Sequence, residues 1–251
     1  MCLIVFAWRP DHAQPLVVAA NRDEFHARPS LPLDCWEDAP WIIGGRDLQA
    51  GGTWMGVTAR GRFAALTNIR APGQAIGPRS RGELPEQYLR GNLPPADYLA
   101  ELVERRGDYA GFNLLVGDRR ALWYLNSHDG QPQALQPGVY GLSNAGLDTP
   151  WPKLRKARAA LADALDQAEP ERLLALLADA EPAAEHELPQ TGVPLEWERR
   201  LSSVFIASAE YGTRASTALI RHADGSLDIV ERSFGPDGPL NEVRYRQPPR
   251  D

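Results

Sequence analysis

Cys2 is the residue whose position in the chain most directly suggests chemistry. Removal of Met1 is expected when the next residue is small, and it would make Cys2 the first residue. A terminal cysteine has an α-amino group with a pKa of roughly 7.7–8.0 and a thiol with a pKa of about 8.5, so the neutral amine can take the thiol proton directly or through a water. Cys2 is therefore a candidate nucleophile that carries its own base. The alternative is a small apolar residue that begins a buried strand, a common place for a free cysteine.

A second candidate is the polar sequence Asn21-Arg22-Asp23-Glu24, which comes directly after an apolar run. A carboxylate such as that of Asp23 near the new N-terminus would orient the amine through charge-assisted hydrogen bonds. Arg22 could lower the pKa of the thiol or bind a carboxylate of the substrate. The alternative interpretation is a solvated turn with a local pair of arginine and acid.

The elements that must position these residues are predicted to be strands. Short apolar runs predict strands at 2–8 and 16–20, joined by a turn, so the polar sequence follows the second strand of an opening hairpin. Further strands are predicted at 53–59, 62–68, 112–116, 121–126, 139–143, 203–207, 216–221 and 227–232, and helices at 85–89, 95–106, 152–168 and 171–178. Because the strands come mostly in hairpin pairs and the helices in two blocks, antiparallel sheets with helices on their outer faces are favoured over a parallel sheet. No break in composition divides the chain, so one domain over 1–251 is expected.

Five segments together resemble the NRDE family, whose members are also called transport-and-Golgi-organisation-like proteins. They are Cys2 after Met1, AANRDEF at 19–25, GGTWMGVTARGRFAALTN at 51–68, GLSNA around Asn144 and YGTRASTAL at 211–219. The segments span almost the whole chain in the order of the family. That family is in turn similar to Ntn hydrolases of the choloylglycine hydrolase and penicillin V acylase type. The resemblance implies an α+β fold, a four-layer αββα sandwich with two stacked antiparallel sheets, and an N-terminal cysteine nucleophile.

The resemblance also implies roles for individual residues. Cys2 matches the nucleophile of the acylases, and Asp23 matches the aspartate that contacts the amine of that nucleophile. Asn68 and Asn144 resemble the two asparagines of the oxyanion hole, where one side-chain donor can change the rate by roughly 10²–10³. Each asparagine could instead be a turn residue at the end of a strand. The acylases have an arginine three residues before the aspartate; here that position is Ala20, which argues against a bile-salt or penicillin substrate.

Four further residues are candidates for substrate binding: Asn21, Arg22, Trp54 in the GGTW segment and Arg214 in the YGTRASTAL segment. Trp54 is expected to line the pocket if it is not a core residue. For Arg214 a structural salt bridge is the alternative, because a role for this arginine does not transfer from the family.

The predicted function is hydrolysis of a non-peptide C–N (amide) bond, with no cofactor and no metal required. The rival is a non-catalytic binding or trafficking protein in which the same pocket holds a hydrophobic ligand, such as haem or an acyl-CoA. No residue pattern proves turnover, and none is a haem motif. A titration with haem and a binding assay with an acyl-CoA would distinguish the two.

Composition limits the partners. A net charge of −6 argues against nucleic acid, and no apolar run reaches the roughly 18–20 residues that a membrane-spanning helix requires. The N-terminus lacks the basic region and cleavage site of a signal peptide, and Cys2 and Cys35 form neither a disulfide framework nor a metal spacing. A cytoplasmic protein with a small-molecule partner is therefore expected. Lysine occurs only at Lys153 and Lys156, which is attributed to genomic bias rather than to function.

Overall fold

The computed structural model describes residues 2–73 and 77–249, which form two compact units. The first unit takes in the chain up to Ala27, the segment Arg70–Pro72 and the chain from Pro137 onward; the second unit takes in Arg28–Ile69 and the chain from Gly73 to Gln136. Each unit contains one antiparallel sheet with helices packed against it. The α+β class with two antiparallel sheets is thus confirmed. The single domain stays a prediction.

Thirteen strands and five α-helices are formed by the described residues. The strands are β1 (Cys2–Trp8), β2 (Leu16–Phe25), β3 (Ser30–Trp36), β4 (Ala39–Asp47), β5 (Met55–Thr58), β6 (Phe63–Asn68), β7 (Phe112–Gly117), β8 (Leu122–Asn126), β9 (Gln133–Ala134), β10 (Gly138–Leu142), β11 (Tyr211–Arg221), β12 (Leu227–Gly235) and β13 (Gly238–Gln247). The helices are α1 (Glu83–Arg90), α2 (Pro95–Arg105), α3 (Pro152–Ala164), α4 (Pro170–Ala175) and α5 (Leu195–Arg200). None of the helices in this described part of the chain is long and apolar enough to cross a membrane.

The sheet of the first unit has the strand order β10-β1-β2-β11-β12-β13. Because β1 lies between β10 and β2, both of its edges are hydrogen-bonded, and all seven of its residues are buried. Its alternate residues Leu3 and Val5 join the core that α3 and α4 form on one face of the sheet. Helix α3 contributes Leu154, Ala157 and Leu161, whose spacing of three and four residues places them on one face. The chain therefore buries Cys2 at the first position of an interior strand.

The sheet of the second unit has the order β3-β4-β5-β6-β7-β8-β9, with α1 and α2 packed against it. Two buried tyrosines connect the helices to their surroundings: the Tyr88 hydroxyl donates to the Gly117 carbonyl at 3.0 Å, and the Tyr98 hydroxyl donates to the Leu84 carbonyl at 2.7 Å. These bonds satisfy the polar ends of two large side chains that are otherwise in the core.

The hairpin turns agree with the sequence prediction. Gly61, in the connection from β5 to β6, has a φ of 90°, and Gly225, in the connection from β11 to β12, has a φ of 83°. Both lie in the left-handed region, which glycine adopts without the cost that a Cβ imposes.

Two predictions for the first unit are wrong. The polar residues 21–24 do not follow a strand, because β2 continues through them to Phe25; β1 and β11 extend the ladder on both sides, pairing Cys2 with Arg22 and Tyr211 with Phe25. The segment 203–207 is not a strand. Its backbone is bound elsewhere, since the Val204 carbonyl accepts from the Asn21 side chain and the Phe205 N–H donates to the Asp179 carbonyl.

Truncation of the core of the first unit tests the packing. Leu161→Ala removes a fully buried side chain and should lower the free energy of unfolding by roughly 2–5 kcal/mol, because a cavity remains. Leu240→Ala, at a leucine that is 67% exposed, should change it by no more than about 0.5 kcal/mol. Urea unfolding followed by circular dichroism measures both. Equal effects of the two substitutions would contradict the assigned core.

Candidate active site around Cys2

Cys2 is held by contacts from two neighbouring segments. Its side chain lies at the start of β1 with 8% of the residue exposed, opposite Arg22 of β2. The thiol accepts a hydrogen bond from the backbone N–H of Asp23. The backbone carbonyl of Cys2 accepts from the Ser143 hydroxyl at 3.0 Å, directly after β10. Strand β2 therefore holds the thiol of Cys2, and the residue after β10 holds its backbone carbonyl.

The environment keeps the Cys2 thiol protonated at neutral pH. Burial raises the pKa of this thiol above its ordinary value, and the Asp23 carboxylate raises it further. The charge of Arg22 and the N–H of Asp23 lower the pKa, but they do not reverse the net direction. Attack by this sulfur therefore requires a group that takes its proton, because the thiolate is the nucleophilic form.

Asp23 is oriented by a chain of hydrogen bonds that starts in the loop before β11. The N–H of Ile206 donates to the Thr213 hydroxyl oxygen at 2.9 Å, so the hydroxyl hydrogen is directed to the Asp23 Oδ1 atom, 2.8 Å away. The Tyr211 hydroxyl donates to the backbone carbonyl of Asp23 at 3.0 Å. A register shift between Thr213 and Ala215 lies in the pairing of β11 with β2, next to this contact. Asp23 itself is 1% exposed.

Lys153 is the cation closest to this carboxylate among the contacts described. It is the second residue of α3, its side chain is 1% exposed, and its Nζ atom lies 4.0 Å from Asp23 Oδ2. That distance is an ion-pair contact and too long for a hydrogen bond. Among the described residues, Lys153 Nζ has no hydrogen-bond partner. The sequence analysis missed this residue.

Burial and attraction oppose each other in the pair of Asp23 and Lys153. Two unit charges 4.0 Å apart attract by about 4 kcal/mol at an effective dielectric constant of about 20, while desolvation costs several kcal/mol per ion. In agreement, burial raises the pKa of Asp23 although the Lys153 charge and the Thr213 hydrogen bond lower it. Burial likewise lowers the pKa of Lys153 to about 8, although Asp23 opposes the shift. Each charge therefore only partly compensates the other.

A second buried ion pair lies in the same unit. Arg70 and Glu198 have side chains that are 3% and 5% exposed, and their Nη1 and Oε2 atoms are 2.8 Å apart. The other carboxylate oxygen accepts from both the N–H and the hydroxyl of Thr191, at 2.7 and 2.6 Å. The Arg70 guanidinium lies 4.6 Å from the centre of the Trp151 ring. Glu198 and Trp151 thus hold the side chain of Arg70, which belongs to the short segment Arg70–Pro72 of the first unit.

Asn144 is connected to Cys2 through its neighbour Ser143. The Ser143 hydroxyl is 3.3 Å from Asn144 Oδ1 and also reaches the Cys2 carbonyl. The Asn144 carbonyl accepts from the N–H of Arg70 at 2.7 Å, and the residue is 1% exposed.

Asn21 has contacts of a structural kind. Its Nδ2 atom donates to the carbonyls of Leu177 and Val204 at 3.0 and 2.8 Å, and its Oδ1 atom accepts from the Ser216 hydroxyl at 2.6 Å. The residue is fully buried. These contacts join β2 to the two loops and account for a buried amide without a ligand. We therefore leave Asn21 out of the proposed site.

Arg214 also binds backbone. Its guanidinium donates to the carbonyls of Phe25 and His26 at 2.8 and 3.1 Å, next to the register shift in the pairing of β11 with β2. These bonds secure the end of β2 beside Asp23. The predicted role of Arg214 in substrate binding stays a prediction.

Asn68 and Trp54 belong to the second unit. Asn68 is the last residue of β6, opposite Phe112 of β7, and the Trp54 carbonyl accepts from the N–H of Leu66 at 2.7 Å. Their part in a site with Cys2 stays a prediction. Met1 lies outside the described residues, so its removal stays a prediction.

Comparison with known proteins assigns the family. The profile of the family described as Transport and Golgi organisation 2 matches residues 1–236. The chain is 34% identical to the Transport and Golgi organization 2 homolog of Mus musculus and to the corresponding protein of Homo sapiens, each over 93% of both chains. It is 26% identical to Transport and Golgi organization protein 2 of Drosophila melanogaster over 98% of both chains. This chain belongs to the Transport and Golgi organisation 2 family. The family membership predicted from the sequence is confirmed.

Two solved structures are similar to this family member at low sequence identity. One is the C2A mutant of the conjugated bile acid hydrolase from Clostridium perfringens, with a TM-score of 0.47, 8% identity and coverage of 99% of this chain and 97% of that chain. The other is the Caenorhabditis elegans ortholog of N-acylethanolamine-hydrolyzing acid amidase, with a TM-score of 0.43, 11% identity and coverage of 87% and 92%.

Removal of one partner of the buried pair should destabilise this family member strongly. Glu198→Ala removes the carboxylate that pairs with the buried Arg70 guanidinium and should cost roughly 3–5 kcal/mol of unfolding free energy. Glu196→Ala is the control, because Glu196 has a side chain that is 80% exposed and pairs with Arg200 on the surface; it should cost no more than about 1 kcal/mol. Urea unfolding compares the two. A loss no larger for Glu198→Ala than for Glu196→Ala would contradict the buried pair.

The pH dependence of stability should report the buried lysine. The pKa of Lys153 is about 8 in the folded protein against the ordinary 10.5, so between these values the unfolded chain holds more protons than the native protein. The free energy of unfolding should therefore rise from pH 8 to 10.5 relative to a Lys153→Met variant, which lacks the titrating group. Urea unfolding at several pH values measures the difference. A difference in unfolding free energy that stays constant or falls over that pH range would show that burial does not lower the pKa of Lys153.

Proposed function

We propose that the chain is an N-terminal-cysteine hydrolase that cleaves a non-peptide amide bond of a small molecule. The observation that carries this proposal is the position of Cys2. Its thiol lies at the start of a buried strand, accepts the N–H of Asp23, and is kept protonated by its surroundings. A free amine on the same residue would supply the base that such a thiol needs, beside a carboxylate already oriented by Thr213.

The first half of the reaction transfers the acyl group to sulfur. After removal of Met1, the neutral amine of Cys2 takes the thiol proton, and the sulfur attacks the carbonyl carbon of the amide. The carbonyl oxygen becomes an oxyanion that the side-chain amide of Asn144 stabilises. The C–N bond then breaks, the protonated Cys2 amine gives its proton to the leaving nitrogen, and a thioester remains.

The second half returns the enzyme to its starting state. A water molecule gives one proton to the Cys2 amine while its oxygen attacks the thioester carbonyl. The C–S bond breaks, the carboxylic acid leaves, and the proton returns to the sulfur. Asp23 holds the protonated amine through a charge-assisted hydrogen bond in both halves. Arg22, opposite Cys2 in the sheet, is the candidate for binding a negatively charged group of the substrate.

The test is the appearance of an acyl group on Cys2. Wild-type protein mixed with p-nitrophenyl acetate and quenched in acid should gain the mass of one acetyl group on the N-terminal peptide. Cys2→Ala should lower the rate of acylation by on the order of 10³-fold or more, because the nucleophile is absent. Cys35→Ser is the matched control, because Cys35 is the second of the two cysteines and is exposed; it should leave the rate unchanged.

An acyl group on Cys35 alone, or equal rates for wild type and Cys2→Ala, would contradict the proposal. If such a protein also bound haem or an acyl-CoA stoichiometrically, with Cys2→Ala altering the affinity, the binding function predicted as the rival would replace hydrolysis.

A further inference from the structure

We propose that Lys153 is a positioning residue of the Cys2 site, whose buried ammonium group keeps the Asp23 carboxylate ionised and oriented for the amine of a processed Cys2. This inference rests on the proposed function. It adds a residue from α3 to a site otherwise made by strands and their connections.

Lys153 lies in an unusual environment for a lysine within the first unit. A lysine side chain usually keeps its charged end in water, even when its methylene groups are buried. Here the whole side chain is 1% exposed, and its Nζ atom lies 4.0 Å from Asp23 Oδ2. No described residue accepts a hydrogen bond from this nitrogen. The main described interaction of the buried Lys153 charge is therefore its attraction to the Asp23 carboxylate.

The choice of residue limits this role to the pH range in which the lysine keeps its proton. Only two of the 27 positions occupied by lysine or arginine carry lysine, and the buried pair elsewhere in the first unit uses Arg70. An arginine stays charged at every pH that a protein tolerates, whereas a buried lysine can release its proton. The single buried lysine of the described chain is the one beside Asp23.

Charged groups from several segments determine the state of Lys153. Asp23 on β2 and the thiolate form of Cys2 on β1 favour its protonated form, whereas Arg70 opposes it. Arg22 on β2 and the hydroxyl of Thr213 on β11 act with Lys153 on Asp23, and each favours the carboxylate. Burial raises the pKa of Asp23 and so favours its neutral form. Among the charges that lower the pKa of Asp23, that of Lys153 has the largest effect. Loss of Lys153 should therefore weaken the hydrogen bond between Asp23 and the amine.

A titration of the two lysines tests the pair independently of catalysis. Protein labelled with carbon-13 at the lysine ε-carbon should give two resonances, and a Lys156→Arg variant assigns them. Lys156 is the matched reference, because it lies on the same helix with a side chain that is 57% exposed and pairs with Asp179. Lys153 should titrate near pH 8. Asp23→Asn should lower this pKa by roughly one unit or more and leave Lys156 unchanged.

Acylation of Cys2 tests the functional part. At pH 7, Lys153→Met should slow the acylation of processed protein by p-nitrophenyl acetate on the order of 10²-fold, because Asp23 no longer holds the amine in place. Lys156→Met should leave the rate unchanged. Lys153→Arg should recover part of the rate and remove the loss of activity that follows Lys153 deprotonation above pH 8, because arginine keeps its proton.

The outcomes separate this inference from the function on which it rests. Wild-type protein that takes no acyl group on Cys2 would contradict the proposed function, while a Lys153 titration displaced by Asp23→Asn would still support the pair. Acylation of wild type and Lys153→Met at the same rate and with the same pH profile would overturn the positioning role alone. A Lys153 resonance that titrates together with Lys156 and ignores Asp23→Asn would overturn the pair itself.

Discussion

The attraction between Asp23 and Lys153 is the interaction on which the polar end of β2 depends. Strand β2 carries a carboxylate into the interior of the first unit, where an isolated charge would be costly. The cost is offset by a cation from α3 and by the hydroxyl group of Thr213 from β11. Three elements that are distant in sequence must therefore meet at one carboxylate, and this requirement orients all three around the start of β1.

The same arrangement determines what Cys2 can do. The Asp23 N–H binds the sulfur, while burial and the Asp23 carboxylate keep the thiol protonated. The structure thus makes a poor nucleophile of Cys2 until a nearby base is available. Ser143 joins the Cys2 carbonyl to the Asn144 amide, and the Asn144 carbonyl is fixed by Arg70, which Glu198 holds in turn. The candidate site and the structural ion pair are therefore parts of one hydrogen-bonded system.

Local sequence patterns predicted most elements but not their tertiary contacts. The apolar run of β1 and the helical spacing of α2 and α3 identify those elements, because burial of one strand or helix face leaves a periodic signal. β3 and β13 were missed, since both are edge strands with many exposed residues and no such signal. Family resemblance singled out Cys2, Asp23 and Asn144, whereas Lys153 was set aside as an effect of composition. The scarcity of lysine in an arginine-rich chain was the one signal in the sequence that pointed to Lys153. Its proximity to Asp23 follows only from the fold.

The central claim is that Cys2 acts through its own free amine. The most direct test is the intact mass of the protein expressed with its native start and without a tag, combined with sequencing of the first peptide. The account predicts a chain that begins at Cys2, with its amine accessible to an aldehyde that forms a thiazolidine ring with N-terminal cysteine. A chain that retains Met1 would contradict the account, because an amide nitrogen at Cys2 cannot take the thiol proton.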